Sequence, residues 1–256
     1  MEHINTTLES LLQQTDILRA ELLQIRPLNA EALAKIQQSL EIEYTFESNS
    51  IEGNTLTLQE TALIINEGVT IGGKSMREHL EVINHAQAIE FIKEIATNDI
   101  EISERIIREI HAIVLHGINK EQAGKYRDVP VMIVGSRHIP PQPYLILPQM
   151  EEFIRQYKQM EQDNVHPVLI AAFLHDELVK THPFIDGNGR TSRLLMNLYF
   201  LSKGYTLVSL KSDNEAKIAY YTALEQSHTE NKRDAFNLFV VQSVIRSLEN
   251  YLKIIG

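Results

Sequence analysis

Apolar residues recur at helical spacing along almost the whole chain. Leu8, Leu11, Leu12, Leu18, Leu22 and Ile25 form one face of a first helix, which Pro27 stops. Asn29 is placed to cap a second helix with Leu33, Ile36, Leu40 and Tyr44 on its apolar side; it is expected to run to Ile51 and end at Gly53. Thr57 with Glu60, and Ser75 with Glu78, have capping-box spacing and open helices ending near Gly68 and Ile95. Ser103 caps a stripe of Ile106, Ile107, Ile110, Ile113 and Val114 that ends near Gly117. Pro148 opens a helix to about Met160 and Pro167 opens the next, and the spacing continues over 168–179, 191–201, 215–224 and 236–255. Residues 124–147 depart from this habit. Two short extended pieces, 131–134 and 144–147, bracket the turn-rich GSRHIPPQP and predict a hairpin. The expectation is an all-α domain over 1–256 with one short β-hairpin.

Composition narrows the function classes. A chain of 256 residues can bury a sizeable core as one domain, and its net charge of −10 argues against a general electrostatic grip on nucleic acid. With no cysteine, disulfides, thiol catalysis and cysteine metal sites are excluded. The start MEHINTTLES has neither a basic nor an apolar leader region, and no apolar run reaches the ~18 residues of a membrane span, so a soluble cytoplasmic protein without membrane partners is expected.

The densest chemistry lies at 181–193, THPFIDGNGRTSR, between two helical segments. Gly187 and Gly189 allow the backbone to turn with φ > 0 and approach a ligand, and the following helix offers its unpaired first N–H groups. Arg190 and Arg193, three apart, can lean toward the same helix end. These groups suit a polyphosphate, with Asp186 placed for the accompanying divalent cation and His182 as a neutral base. Ser48 and Glu52 share a face at the end of the second helix, where the helix dipole disfavours an anion, so Glu52 calls for a cationic partner. His111 and His116 read as structural histidines. His175 lies two turns before His182, about 10 Å along the axis, which rules out a shared metal. Residues 68–75, GVTIGGKS, match the phosphate-loop pattern, yet a capped helix precedes them where that motif requires a strand, and a glycine-rich linker is the better reading.

The stretch from His182 to Arg193 resembles the Fic family, whose pattern is H-P-F-x-[D/E]-G-N-G-R-x-x-R; His182, Pro183, Phe184, Asp186, Gly187, Asn188, Gly189, Arg190 and Arg193 meet every fixed position. The resemblance implies a Fic-type helical domain that transfers AMP from ATP to a Ser, Thr or Tyr hydroxyl of a protein, itself included, releasing pyrophosphate. His182 would take the hydroxyl proton, Asp186 would hold Mg²⁺, and Gly187, Asn188, Gly189, Arg190 and Arg193 would hold the phosphates. SNSIEG resembles the family's inhibitory motif through Ser48, Glu52 and Gly53, which implies that Glu52 pairs with Arg193 in the place of the ATP γ-phosphate. Residues 1–56 then form an N-terminal inhibitory part.

By the same resemblance 124–147 is the flap that aligns a target segment, with Val134, Gly135, Ser136, Arg137 and His138 as its contact region. Tyr220 and Tyr221 are either core aromatics or part of the adenine pocket, and His228 stands where relatives commonly carry Asn. The partners implied are a protein substrate and a second copy in a homodimer. Removal of AMP at the same site, or an ATP-binding regulatory module without catalysis, are the alternative readings.

Overall fold

The computed structural model describes residues 2–24, 30–98, 101–230 and 232–255. Among these the chain forms α1 (Glu2–Gln24), α2 (Ala30–Ile51), α3 (Leu58–Glu67), α4 (Met76–Ala96), α5 (Glu104–Val114), α6 (Ile146–Gln162), α7 (Pro167–Thr181), α8 (Asn188–Ser202), α9 (Asn214–Glu230) and α10 (Arg233–Ile255). A 3-10 turn at Pro143–Leu145 precedes α6. The helical class expected from the spacing is the one adopted. Ile25, Pro27 and Asn29, the expected stop and cap between the first two helices, lie outside the described residues.

Local sequence sets several helix ends. Thr57 accepts the Glu60 N–H while the Glu60 carboxylate accepts the Thr57 N–H, and Ser75 with Glu78 makes the same reciprocal cap on α4. Gly68 ends α3 in the left-handed region at φ 65°. The phosphate-loop lookalike is therefore a linker between two helices. Its Lys74 Nζ donates to Thr55 O at 2.5 Å and Thr55 Oγ1 at 3.0 Å, and its Ser75 caps α4.

α7 and α8 pack on each other at the centre. α4 and α5 lie against α8, α6 and α10 against α7, and α9 against α10; α2 crosses α4 and reaches α8, while α1 packs on α10. Phe153, Phe173, Leu174, Phe184, Leu194 and Phe200 fill the core, each contributing about 1.5–3 kcal/mol by leaving water. From Asn188 to Phe200 every residue of α8 except Gly189 is buried, polar ones included. Asn197 shows how this is tolerated: its amide donates to Arg193 O and Val208 O and accepts the Val208 N–H. Among the described residues, no helix is long and apolar enough to cross a membrane.

Two expectations are corrected. α8 begins at Asn188 and not near Thr191, so the loop between the central helices is only 182–187. The hairpin does not form: no strand occurs among the described residues, 131–134 is irregular, and 143–147 turns into the 3-10 turn and the start of α6, two residues before Pro148. Pro143, at the first position of the 3-10 turn, presets φ for it, and the Leu145 N–H donates to Gln142 O instead of to a partner strand.

Candidate active site

The loop leaving α7 is held from several sides. His182 caps α7 at φ 47°, a left-handed conformation that costs a non-glycine residue about 1–2 kcal/mol. Its N–H donates to Leu178 O at 2.9 Å, and its carbonyl accepts from Arg127 Nε at 2.8 Å. Arg127 is buried and also donates from its N–H to Pro183 O, from Nη1 to Val129 O at 3.0 Å and from Nη2 to Pro141 O at 2.6 Å. Phe184 stacks on the His111 ring with centroids 3.6 Å apart. His111 accepts the Gly124 N–H at Nδ1, which leaves the ring proton on Nε2 to donate to Asp186 O at 2.9 Å. Asn188 closes the loop: Oδ1 accepts the Phe184 N–H at 3.0 Å and Nδ2 donates to Phe184 O at 2.9 Å.

His182 is thereby held as a neutral ring. Its Nδ1–H donates to Val179 O at 3.3 Å, so the Nε2 lone pair is the one left for chemistry. Burial, aided by the charge of Arg127, lowers its pKa to about 4 against the opposing pulls of Val179 O and Glu52. The imidazole is neutral at physiological pH.

The start of α8 forms the floor. Gly187 turns at φ 76°, and the first N–H groups of α8 have no partner within the helix. Gly189 is already helical, so its requirement is space and not unusual φ: a Cβ built there would overlap Glu52 Oε1. The Glu52 carboxylate thus lies over the positive end of α8. Arg193, fully buried, donates from Nη2 to Glu52 Oε1 and Ser48 O, both at 2.8 Å, and from Nε to Ser48 Oγ at 2.9 Å. Burial opposes the Arg193 charge, but Glu52, Tyr220 and Tyr44 outweigh it and raise the pKa. Tyr220 is buried between Arg193 and His175, whose Nε2 lies 3.1 Å from its hydroxyl; burial lowers the His175 pKa to about 3. Tyr221 is half-exposed and donates to Ile51 O. Glu52, His182, Gly189, Tyr220 and Tyr221 line one cavity of about 800 Å³, closed on the far side by 133–137 and α9.

The two arginines of the loop motif both lie at the helix start but on different sides of it, Arg193 against α2 and Arg190 against α4. Buried Arg190 lies with Nη2 3.4 Å from Asp186 Oδ1 and Nη1 3.3 Å from Glu81 Oε1, and it does not line the cavity. Asp186 is half-exposed on this α4 side, accepts the Gly187 N–H at 2.6 Å and binds Arg77 Nη2 at 2.6 Å. Burial pushes its carboxyl up, but Arg190, the Gly187 N–H and Arg77 hold it below the usual range. Both polar ends of the Asn188 side chain are used in closing the loop, so its backbone N–H is the group that stays available there.

The flap contacts of 134–138 are largely internal. Glu225 accepts from Ser136 Oγ, from the Arg137 N–H and from Arg137 Nε, and His138 Nε2–H donates to Lys180 O at 2.7 Å. His228 stands 5.0 Å from the His138 ring and donates to Asp176 Oδ1 at 3.0 Å.

Arg127, His111, Arg77 and Glu225 were not singled out by sequence reasoning as site residues. His111 alone left a usable signal: it falls on the core face of α5 between Ile107, Ile110 and Val114, where a polar ring needs fixed partners.

An all-α core that presents a helix start, a neutral histidine and a carboxylate held by a buried arginine to one cavity has the arrangement of a Fic-type domain. The comparisons with known proteins agree. The model of the "Fic/DOC family" matches residues 101–200. Two relatives named protein adenylyltransferase Fic are similar over most of the chain. The one from Drosophila persimilis is 34% identical over 98% of this chain and 48% of its own length. That from Drosophila erecta is 35% identical over 96% and 48%. Among solved structures, a Fic-1 fragment from C. elegans superposes with TM-score 0.89 at 29% identity over 98% of this chain and 74% of the fragment. An altered form of the same fragment gives 0.87 at 30% identity over 99% and 74%. A Fic domain containing signaling protein from Bacteroides thetaiotaomicron gives 0.84 at 28% over 96% and 97%. The chain belongs to the Fic/DOC family, and it spans about half the length of the curated relatives it matches.

Proposed function

We propose that the chain is an autoinhibited protein adenylyltransferase that moves AMP from ATP to a Ser, Thr or Tyr hydroxyl of a protein. The observation that carries this reading is the single cavity lined by the neutral His182, the start of α8 and the Glu52 carboxylate that buried Arg193 holds. The triphosphate would lie on the N–H groups that open α8, with Arg193 as counter-charge. The target hydroxyl oxygen attacks the α-phosphorus, the bond from that phosphorus to the β-phosphate oxygen breaks, and pyrophosphate leaves. His182 Nε2 takes the hydroxyl proton.

Asp186 fits a divalent cation as its one protein carboxylate. It is half-exposed and already faces a positive group, Arg77, and among the described residues no cluster of three His, Cys, Asp or Glu competes for the ion. One carboxylate plus substrate phosphates is the usual setting of Mg²⁺, which when bound neutralises phosphate charge.

Glu52 restrains the reaction in this reading, because its carboxylate occupies both Arg193 and the start of α8. Glu52→Gly is expected to raise transfer of labelled AMP by about 10- to 100-fold, the equivalent of one charge-assisted hydrogen bond of about 1.5–3 kcal/mol. Adding His182→Ala to that variant is expected to abolish the gain. ATP binding by Glu52→Gly without any AMP transfer to protein would overturn the catalytic reading, and transfer equal to the wild type would overturn the inhibitory one.

A further inference from the structure

Asp186, the carboxylate suited to the cation, is held by an arginine from far away in the chain. Arg77, in the first turn of α4, donates from Nη2 to Asp186 Oδ2 at 2.6 Å, while its Nε donates to Glu81 Oε1 at 3.1 Å. The second carboxylate oxygen of Asp186, Oδ1, accepts the Gly187 N–H and faces Arg190 Nη2. A metal that took Oδ1 would have to break a contact of the loop itself. Oδ2 is the oxygen that can be given up, and Arg77 occupies it.

We propose that Arg77 is a displaceable guard on Asp186, which makes the divalent cation bind together with the nucleotide's phosphates and not ahead of them. This rests on the reading that Asp186 serves the cation, and it adds an order of events to that reading.

Mobility separates the two arginines at this carboxylate. The Arg77 side chain is 58% exposed, whereas that of Arg190 is 3% exposed and enclosed by the core, so Arg77 is the one free to swing. Glu81 gives it a place to retreat. That carboxylate is 11% exposed, accepts from Asn54 Nδ2 at 2.9 Å and lies beside Arg190, so it stays fixed while Arg77 Nη2 leaves Asp186 and Nε keeps its contact.

The charges set the order. A bare divalent cation approaching Asp186 beside the start of α8 meets two guanidiniums, which share the single Glu81 carboxylate as their other partner and are offset by it only in part. A triphosphate on the same helix end reverses that field. The cation is then drawn in, and Arg77 loses its carboxylate to a stronger competitor.

The test is a titration of the full chain with Mn²⁺, followed by the electron paramagnetic resonance of the free ion. With Glu52→Gly in every chain, so that the start of α8 is open to nucleotide, it compares wild-type Arg77 with Arg77→Gln, Arg77→Ala and the double variant Arg77→Gln/Asp186→Asn, each without nucleotide and with a non-hydrolysable ATP analogue. Without nucleotide, both single variants are expected to bind Mn²⁺ about tenfold tighter than wild type, since removing one like charge a few ångströms away is worth roughly that factor. The double variant is expected to lose the gain. With the analogue present, wild type and single variants are expected to converge.

Single variants that keep the wild-type circular dichroism and melting temperature, yet bind Mn²⁺ alone no tighter than wild type, overturn the proposal. So does a gain that survives Asp186→Asn. Failure of the adenylyltransferase reading would show separately, as missing AMP transfer by Glu52→Gly, and leaves this titration unaffected.

Discussion

The two walls of the cavity are built on opposite principles. On one side, residues 182–188 are fixed by buried partners from two other parts of the chain, Arg127 and the ring of His111, and by the reciprocal bonds of Asn188 within the loop itself. On the other, the flap exposes Met132, Val134 and Ile139, and its tip is tied mainly to the carboxylate of Glu225 and the carbonyl of Lys180. The loop has one available geometry because moving any member strands a buried polar group. The flap's ties lie at the surface, where each contributes little and can be exchanged. Rigidity and adaptability are thus assigned to different walls.

Arg127 is the residue that joins the walls, and removing it is the most forceful way to break the contrast. Arg127→Ala leaves the carbonyls of His182, Val129 and Pro141 without their donors, with a stability loss of about 2–4 kcal/mol expected in urea denaturation. AMP transfer in the Glu52→Gly background is expected to fall with it, since His182 loses the clamp on its strained backbone. An unchanged midpoint and rate would mean that the loop is held without Arg127.

Acid should loosen the rigid wall selectively. Burial lowers the folded-state pKa values of His111 and His182 to about 4 and that of His175 to about 3, all below the ordinary value of 6.5. Below 6.5 the unfolded chain binds more protons than the folded one, so their contribution is intact above that pH and lost as pH falls toward 4. At pH 5 each ring that must stay neutral costs about 2 kcal/mol relative to neutral pH. Urea midpoints measured from pH 7.5 to 5 are expected to fall steadily. The acid limb of the transfer rate is expected near pH 4, as long as the fold survives; a limb near 6.5 would place His182 in a more solvated setting.

The smallest effect sharpens the comparison from the flap side. Glu225→Ala removes the ties to Ser136 and Arg137, with less than ~1 kcal/mol lost in stability because the pair with Arg137 is exposed. Faster amide hydrogen exchange is expected at 134–138, with exchange at 182–188 unchanged. Acceleration in both segments would show that the walls are coupled through α9.

What could be read in the sequence followed the length scale of each contact. The chemistry of 181–193 was legible because a helix start, two glycines and a capping histidine are local in sequence, and the caps at Thr57 and Ser75 for the same reason. Ser48, Glu52 and Arg193 could be associated only through the family resemblance, since 141 residues separate the ion pair. Arg77 and Arg127 carried no sign of their part in the loop, because the loop atoms they hold lie 109 and 55 residues further along the chain. The hairpin failed as a prediction because short apolar runs fit either a strand or a helix start, and Pro143 decided for the turn. The opposed directions of Arg190 and Arg193 depend on what surrounds α8, which spacing along one helix does not contain.

The grip of Arg193 on Ser48 limits how the site can be released. Its Nε and Nη2 hold the hydroxyl and carbonyl of Ser48, inside α2, as well as the carboxylate of Glu52 just beyond the end of that helix. Undocking the whole helix would strand a solvent-excluded cation, whereas rotating one terminal side chain outward keeps two of its three bonds. In the autoinhibited reading, the switch on this geometry is a latch at the tip of a fixed bar.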